Sequence, residues 1–231
     1  MLGTLGNIEK QHSVIPMNTT FFCSWSGGKD SCLALYYAIK AHDIPKYLFT
    51  MLDEEGEYSR SHRIPKSILQ QQSRKIGIPI TFTSASWEEY EVRFDETLQQ
   101  YRQNNITYGV FGDIDIEEHR GWCERICEKN GIKANHPLWK RSREELIEEF
   151  ISLGFKAKII VTKADKLGSE WLGRSIDKEV IEEFRERKID ICGEYGEYHT
   201  IVTDGPLFES ELKVKGKNKN MKDGYWFLDI E

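Results

Sequence analysis

The segment Ser26–Ser31 reads Ser-Gly-Gly-Lys-Asp-Ser and combines the groups that bind phosphate. Its two adjacent glycines let the backbone turn tightly, so that amide N–H groups can face phosphate oxygens without an intervening Cβ atom. Lys29 adds a mobile positive charge, the serine hydroxyls add donors, and the N-terminus of a following helix adds the positive end of its dipole. A Walker A loop needs a glycine five residues before its Gly-Lys pair, where this chain has Cys23. We therefore expect a phosphate-binding loop of another type.

A second group of polar residues follows Tyr108–Phe111, which is predicted to be a strand. Asp113 stands close to the carboxyl end of that strand, where parallel sheets place catalytic or magnesium-binding carboxylates. Further acids follow at positions 115, 117 and 118, and acids are also favoured at helix N-termini by the helix dipole. We attribute the acids at 117 and 118 to that helix preference. For Asp113 both interpretations stay open on the residues alone.

Near the C-terminus, Gly193–Thr200 reads Gly-Glu-Tyr-Gly-Glu-Tyr-His-Thr. Glu194 and Glu197 are separated by a glycine turn and followed by His199 on a predicted strand, a set that could bind an amine or ammonium and move protons. A glycine-rich hairpin with exposed polar residues is the alternative, and composition alone favours it. Another single histidine, His62, lies in a loop at the carboxyl edge of the predicted sheet. Such a histidine is more often solvated, but its position makes it a candidate.

Apolar periodicity predicts alternating strands and helices over residues 20–130. Two helix boundaries carry specific signals, since Ser86 and Glu89 have the spacing of a capping box and Gly77 stands where a helix should stop. The alternation predicts a parallel sheet covered by helices on both faces, which binds ligands at the carboxyl ends of its strands. The predicted strands are 20–24, 46–51, 78–83 and 108–111, and the predicted helices are 30–41, 64–76, 86–103 and 116–129.

After residue 130 the pattern loosens, and we predict a second, smaller domain over residues 131–231. It should contain helices over about 142–153 and 177–187, a strand over 158–162, and antiparallel strands with Gly-Pro turns from Tyr198 onward. Residues 18–130 form the first predicted domain, which contains the phosphate-binding loop. Residues 1–17 are predicted to be a disordered leader, because they carry charges where a signal peptide needs an apolar centre.

The composition favours a folded cytoplasmic protein. Its 231 residues, 39% of them hydrophobic, suffice for a hydrophobic core. With 32 basic and 38 acidic residues the net charge is −6, which argues against non-specific nucleic-acid binding. The apolar stretches are too short to cross a membrane, and the five cysteines lack a disulfide-scaffold spacing. The oligomeric state stays open, a homo-oligomer included.

The segment Ser26–Ser31 resembles the PP-loop of the N-type ATP pyrophosphatases, which attack the α-phosphate of ATP and expel pyrophosphate. Within that superfamily the chain is similar to the diphthine–ammonia ligase family, and the block Gly193–Thr200 separates this family from PP-loop enzymes that modify tRNA. The implied fold is α/β, a parallel sheet with helices on both faces of the adenine nucleotide alpha hydrolase-like, HUP type, followed by a smaller α+β domain. The matching segments are Ser26–Ser31, Phe111–Ile114, Pro137–Trp139, Trp171–Arg174, Gly193–Thr200 and Asp204–Pro206.

The resemblance implies an amide ligase that cleaves ATP to AMP and pyrophosphate, with Mg²⁺ as cofactor. ATP would adenylate the carboxylate of diphthine on a translation elongation factor, and ammonium would supply the nitrogen. The implied ATP-binding residues are Ser26, Gly27, Gly28, Lys29, Asp30, Ser31, Met51, Leu52, His62 and Gly112. The implied catalytic residues are Lys29, Asp30, Asp113, Glu194, Glu197 and His199, of which Asp30 and Asp113 would also be the metal ligands.

Two other functions stay in competition. A tRNA-modifying PP-loop enzyme predicts a basic face and often paired catalytic cysteines, and the net charge and cysteine positions argue against it. A non-catalytic sensor would bind adenine nucleotide without turnover.

Two further signals have ordinary structural interpretations that we favour. His119, Cys123 and Cys127 could begin a zinc site on one helix stripe but are more typical of core packing, and the lysines over 213–222 are typical of a solvated hairpin.

Overall fold

The computed structural model describes residues 19–231, so the predicted leader over residues 1–17 lies outside the described residues. The N-terminal part is a five-stranded parallel sheet with strand order β3-β2-β1-β4-β5 and helices on both faces. This confirms the predicted α/β class. The strands are β1 (Thr20–Ser24), β2 (Ile44–Leu52), β3 (Ile80–Ser84), β4 (Tyr108–Val110) and β5 (Lys133–Asn135), and the helices are α1 (Lys29–Lys40), α2 (Lys66–Ile76), α3 (Tyr90–Gln103) and α4 (Glu117–Lys129).

The central strand β1 is apolar along its length because both faces of the sheet are covered. Successive side chains of a strand point to opposite faces. Phe22 accordingly packs in the cluster with Phe94 of α3, whereas Phe21 and Cys23 pack in the cluster with Leu35 of α1. The strand order reverses at β1, which has β2 on one side and β4 on the other. Sheets of this kind bind ligands at such a switch point, beyond the carboxyl ends of the strands.

The C-terminal part is a smaller α+β region built on a four-stranded antiparallel sheet, with strand order β7-β6-β9-β8. The predicted Gly-Pro turn follows β7, where the Gly205 oxygen accepts a hydrogen bond of 2.9 Å from the Phe208 amide. The hairpin between the last two strands turns instead at Asp223 (φ 51°) and Gly224 (φ 81°). Two left-handed residues give the twist that a two-residue hairpin needs, and proline cannot adopt a positive φ. The elements are α5 (Arg143–Ser152), β6 (Lys156–Lys163), α6 (Lys178–Glu186), β7 (Tyr198–Asp204), β8 (Gly216–Lys222) and β9 (Tyr225–Ile230), with a short 3-10 turn at Ser169–Trp171.

Two predicted helix starts differ from those observed. The helix predicted from residue 64 begins at Lys66, because Pro65 is extended (ψ 138°) as its N-cap. The capping box forms, with Ser86 Oγ accepting a hydrogen bond of 3.1 Å from the Glu89 amide, but the regular helix α3 starts just after it. Within residues 19–231, every helix is too short or too polar to cross a lipid bilayer.

The two sheets share one hydrophobic core. Leu35 of α1 lies in the same cluster of buried side chains as Ile159 of β6 and Ile201 of β7. The strand β5 pairs with β4 and completes the parallel sheet, although it lies beyond the predicted boundary at residue 130. Through the shared core, the second sheet packs against α1, the helix that begins at the predicted phosphate loop.

Candidate active site

The predicted phosphate loop joins β1 to α1, at the switch point of the sheet. Gly27 is left-handed (φ 80°), a conformation that side chains rarely adopt. Gly28 is extended and is the N-cap of α1. A Cβ atom on Gly28 would lie 2.4 Å from His62 Cε1 and 3.0 Å from the Thr200 oxygen. The first glycine is therefore needed for its backbone conformation and the second for close packing.

Two serine hydroxyls and one glycine hold the loop in shape. Ser26 Oγ accepts a hydrogen bond of 3.2 Å from the Gly28 amide and lies 3.1 Å from Ser31 Oγ. Ser31 Oγ donates to the Gly28 oxygen at 3.1 Å. The loop thus forms its turn through its own hydroxyls, and both serines also face a cavity.

Gln72 of α2 fastens the loop to the second sheet, and sequence reasoning did not single it out. Its fully buried amide group donates to the oxygens of Gly27 (3.0 Å) and Val202 (2.8 Å), and its oxygen accepts from Trp25 Nε1 (3.2 Å). The Val202 amide also donates to the Gly27 oxygen at 2.9 Å. A polar residue on the apolar face of a predicted helix is the signal that could have found it.

Lys29 is buried rather than mobile, which corrects the sequence-based expectation. Its Nζ donates to Asp30 Oδ2 at 2.8 Å and to the backbone oxygen of Cys192, and it lies 5.4 Å from the centre of the Tyr198 ring. The reason is that the C-terminal block closes over the loop. Burial alone would lower the pKa of Lys29, but the surrounding negative groups, Asp30 first among them, outweigh it and raise that pKa well above its usual value.

Glu194 belongs to the same electrostatic cluster. Burial, together with the negative charge of Asp30, raises the pKa of Glu194 to about 8, although Lys29 and Arg143 act in the opposite direction. The carboxyl group therefore exchanges its proton in the pH range where an enzyme operates. Its backbone amide donates to Asp190 Oδ2 at 2.7 Å, which fixes the turn that carries it. A raised pKa of this kind is what a carboxyl group needs in order to exchange protons near neutral pH.

The second glutamate of the repeat, Glu197, has a different environment. Its carboxylate accepts a hydrogen bond of 3.1 Å from the Tyr195 amide, so it stabilises its own turn. Its backbone oxygen accepts from the Lys163 amide at 2.9 Å. The structure therefore gives Glu197 a local contact at the turn, whereas Glu194 is coupled to the lysine of the loop.

His199 and His62 form a ring pair beside the loop, with 4.6 Å between their centroids. Burial lowers the pKa of His62 to about 4 and, with the proximity of His62, lowers the pKa of His199 well below its ordinary value. Both rings are neutral at pH 7. His62 Nδ1 donates to the Thr200 oxygen at 3.0 Å, because a carbonyl oxygen can only accept. The two imidazole rings pack behind Gly28 and place no positive charge next to it.

Gly112 and Asp113 bring the end of β4 against the start of α1. A Cβ atom on Gly112 would lie 2.9 Å from the backbone carbon of Asp30, so only glycine permits this approach. Asp113 Oδ2 lies 3.3 Å from Nδ1 of His136, whose side chain is 4% exposed. His136 follows β5 directly, and its place at the carboxyl edge of the sheet is the signal that could have found it.

Two adjoining cavities, of about 140 Å³ and 400 Å³, open at this edge of the parallel sheet. The smaller one is lined by Met51 and His62, and the larger one by Ser31, Gly112 and Asp113. The side chain of Leu52 is fully buried in the core, so only its backbone can reach this edge. The residues that line both cavities are Ser24, Ser26, Tyr90 and Phe94. Together the cavities form one cleft from the end of β2 to the end of β4.

The cysteines are poorly suited to chemistry at this site. All five are free and buried, and burial raises the pKa of each thiol, to about 12 for Cys127 and Cys192. Cys123 and Cys127 lie in the hydrophobic core, as the favoured interpretation of the His119 stripe expected, and His119 itself is mostly exposed. Among residues 19–231, no three histidine, cysteine, aspartate or glutamate side chains are grouped to hold a metal ion by themselves.

The comparisons with known proteins agree with this architecture. Residues 19–134 match the family model described as diphthamide synthase N-terminal domain, and residues 142–231 match the one described as diphthamide synthase C-terminal domain. A mouse protein named diphthine–ammonia ligase is 25% identical, with 89% of this chain and 86% of that protein covered. The human protein of that name is 25% identical, with 82% and 80% covered.

Two further comparisons differ in extent. The fission yeast diphthine–ammonia ligase is 24% identical over 83% of this chain, which is 35% of that protein. A solved structure titled as a predicted subunit of tRNA methyltransferase from Methanocaldococcus jannaschii is matched over 84% of this chain and 99% of that chain, with 15% identity and a TM-score of 0.45, too low to carry an argument. The two family models together cover both sheets and the cleft. The chain belongs to the diphthamide synthase family.

Proposed function

We propose that this chain is an ATP-dependent amide ligase that forms AMP and pyrophosphate, adenylates the carboxylate of diphthine on a translation elongation factor and amidates it with ammonium. One observation carries the proposal. Lys29 of the predicted phosphate loop donates a hydrogen bond to the backbone oxygen of Cys192, two residues before Glu194, so the loop and the C-terminal block meet at the N-terminus of α1. The proposal agrees with the name that the mouse, human and fission yeast relatives share.

The cleft fits ATP in its position and chemistry. Ser26 and Ser31 place their hydroxyl groups at the larger cavity, next to the N-terminus of α1, where phosphate is favoured. The glycines at 27, 28 and 112 leave out Cβ atoms that would clash with the side chains of Gln72 and His62 and with the backbone of Asp30, respectively. We assign the adenine to the smaller cavity at the end of β2, beside Met51, and the phosphates to the larger cavity.

Mg²⁺ fits the site with ligands from the nucleotide as well as the protein. Asp30 and Asp113 lie on the two segments that meet at Gly112, and Asp113 lines the larger cavity. Magnesium is usually bound through one or two carboxylates together with substrate phosphates, which accords with the two carboxylates available here. When bound there, the ion would neutralise charge that builds on the phosphates.

The first half-reaction activates a carboxylate that is otherwise unreactive toward ammonia, because hydroxide is a poor leaving group. A carboxylate oxygen of the acceptor attacks the α-phosphorus, the bond to the bridging oxygen breaks, and pyrophosphate departs. Lys29 stabilises the charge that develops on the phosphates, and its raised pKa keeps it protonated throughout. Holding the carboxylate and the α-phosphate in line supplies much of the remaining acceleration.

The second half-reaction replaces AMP with nitrogen. Ammonium first loses a proton to solvent. The lone pair of the resulting ammonia attacks the acyl carbon, AMP leaves, and the nitrogen loses a second proton as the amide forms. Glu194 is the group that we assign to take this proton, since its pKa of about 8 lies near the operating pH. His199 and His62 stay neutral and bound the site.

A sulfur-transferring tRNA enzyme is the weaker alternative. It would need a reactive thiolate, whereas burial raises the pKa of both cysteines near the loop, Cys23 and Cys32. The net charge of −6 also disfavours a tRNA partner.

The location in the cytoplasm follows from the elongation-factor substrate and is part of the proposal.

The test uses the purified full chain with ATP, Mg²⁺, ammonium and an elongation factor that carries diphthine. We expect AMP and pyrophosphate in equal amounts, and a mass change of the acceptor that corresponds to replacement of OH by NH₂. Formation of ADP and orthophosphate would refute the mechanism. Release that depends on tRNA instead of the elongation factor would favour the tRNA enzyme, and tight binding without any product would favour the sensor.

A further inference from the structure

Arg143 joins two loops that come from different parts of the chain. Its Nε and Nη2 donate to the two carboxylate oxygens of Asp115, at 2.8 and 2.7 Å. Its Nη1 donates to Asp190 Oδ2 at 2.7 Å. Asp115 belongs to the loop after β4 that also carries Asp113, and Asp190 precedes the Gly193 turn. One guanidinium therefore ties the two loops together.

The forked pairing of the Arg143 guanidinium with Asp115 and Asp190 is held in place by neighbouring groups. Arg143 is the first residue of α5, and its side chain is 20% exposed, against 10% for that of Asp190. The Tyr195 ring lies 4.8 Å from its guanidinium carbon and covers its outer side. Bidentate pairing of arginine with a carboxylate fixes orientation as well as distance. Arg143 is thus suited to set the geometry of both loops.

Asp190 passes this constraint to the turn that faces the phosphate loop. Its two oxygens accept hydrogen bonds from the amides of Cys192 (3.2 Å) and Glu194 (2.7 Å). The thiol of Cys192 donates to the backbone oxygen of Arg143 at 3.4 Å, and its own backbone oxygen accepts from Lys29 Nζ. Arg143 therefore reaches the loop lysine through one intervening residue and without touching it.

We propose that Arg143 is a positioning residue for the ligase reaction. By clamping Asp115 and Asp190 it holds the carbonyl oxygen of Cys192 against Lys29 and keeps Glu194 beside the reacting groups. The inference rests on the proposed function for its kinetic consequence. Its structural content, the fixing of the turn at 190–196 by Arg143, stands independently of the reaction.

The test compares Arg143→Gln with Arg141→Gln in the full chain. Arg141 is two residues away and pairs with Glu149 on another side of α5, so its variant is the matched control for loss of an arginine charge. For Arg143→Gln we expect kcat to fall by about 100-fold, the size of effect caused by displacing a reacting group by about 1 Å. KM for ATP should stay within about twofold, because the residues that line the cleft are retained. Arg141→Gln should leave both parameters unchanged.

Amide hydrogen exchange of the turn provides a readout that does not depend on the reaction. In Arg143→Gln the amides of Cys192 and Glu194, both of which donate to Asp190, should exchange faster than in the wild type and in Arg141→Gln. Arg143→Lys keeps the charge but cannot form the fork, and it should recover part of kcat and part of the protection. It also replaces Arg143→Gln if that variant fails to fold.

Several outcomes would overturn the inference. One is a wild-type kcat in Arg143→Gln, and another is an equal loss in Arg141→Gln. A fall in kcat without faster exchange at Cys192 and Glu194 would mean that Arg143 acts by some other route. If the wild type forms no AMP with any acceptor, the proposed function fails, and the exchange experiment still decides whether Arg143 fixes the turn.

Discussion

Lys29 Nζ donates a hydrogen bond to the backbone oxygen of Cys192, a residue 163 positions later in the chain. This contact joins the first loop of the parallel sheet to the turn before β7 of the antiparallel sheet. The lysine is 5% exposed, so its charge is held by protein groups rather than by water. It follows that the geometry of the proposed nucleotide site depends on both halves of the fold. A fragment that contained the parallel sheet alone would carry the loop sequence but not the loop lysine in this position.

The first prediction concerns that lysine. Lys29→Met keeps the length of the side chain and removes its charge, so the phosphates lose their buried cation. We expect kcat for AMP formation to fall by about 10²- to 10³-fold, as when one electrostatic donor to a transition state is removed. The free energy of unfolding should also fall by about 1 to 3 kcal/mol, because the buried Cys192 oxygen loses its donor.

The matched control is Lys40→Met, at the exposed end of the same helix. It should leave AMP formation and the urea midpoint close to those of the wild type. Turnover of Lys29→Met at the rate of Lys40→Met would contradict the assignment of Lys29 to the phosphates.

The second prediction concerns the tight packing of Gly28. Gly28→Ala places a Cβ atom 2.4 Å from His62 Cε1 and 3.0 Å from the Thr200 oxygen, and overpacking of this kind costs about 1 to 3 kcal/mol. We expect weaker ATP binding by calorimetry together with a lower midpoint of urea unfolding. Gly121→Ala is the control, because nothing lies within 4 Å of its Cβ position inside α4, and there alanine should stabilise by about 0.5 to 1 kcal/mol.

A double variant identifies the clash. In Gly28→Ala/His62→Ala the shorter neighbour removes the first of the two close contacts, so part of the lost stability should return. A double variant in which the two losses simply add would mean that His62 is not the obstructing group.

The parts of this site that sequence could predict are the parts defined locally. The apolar run of β1 predicted a strand, and the glycines at 27, 28 and 112 predicted a turn and the ligand-binding edge of the sheet. Each of these features is determined by residues that are neighbours in the sequence. The strand β5 was missed because its three residues are Lys-Ala-Asn, partly exposed at the edge of the sheet, and carry no apolar pattern. Edge strands generally lack the signal that burial on both faces imposes.

Contacts between the two halves could not be predicted in the same way. Glu194 and Glu197 occupy equivalent places in a repeated Gly-Glu-Tyr sequence, yet one is coupled to Lys29 and the other accepts a hydrogen bond from its own turn. Nothing local distinguishes them. The bridges made by Gln72 and Arg143 likewise depend on which segments meet in space. The expectation of a mobile Lys29 in the phosphate loop is wrong for the same reason: lysine is rarely buried, but tertiary pairing overrides that tendency here.

The third prediction follows from the raised pKa of Glu194. Its carboxyl group has an ordinary pKa of 4.5 and a folded-state pKa of about 8, so between these values the folded chain binds its proton more tightly than the unfolded chain does. Stability from this group is therefore present at low pH and is lost as pH rises from 4.5 to about 8. Glu194→Gln mimics the protonated form and should escape that loss. Its free energy of unfolding relative to wild type should increase across the interval, as measured by urea titration.

The same variant has a kinetic consequence. If Glu194 takes the proton from nitrogen, the wild-type rate should rise with pH toward about 8, and Glu194→Gln should be slower with that limb of the profile removed. Glu186→Gln, an exposed position at the end of α6, should keep the wild-type profile. An unchanged profile in Glu194→Gln would exclude it as the proton carrier.

The fourth prediction concerns the neutral histidine pair at acidic pH. Burial lowers the pKa of His62 from 6.5 to about 4 and lowers that of His199 well below 6.5, so the unfolded chain binds protons that the folded chain does not. The stability that these neutral rings contribute is complete above pH 6.5 and is lost as pH falls toward about 4. Each group contributes at most about 1.4 kcal/mol per pH unit to this loss. Urea unfolding between pH 6.5 and about 5 should show a shallower decline in His62→Gln than in the wild type, while the exposed turn variant His42→Asn should follow the wild type. Equal slopes for the wild type and His62→Gln would mean that the imidazole of His62 binds protons as readily in the folded protein as in the unfolded one. That result would contradict the burial of this ring behind Gly28.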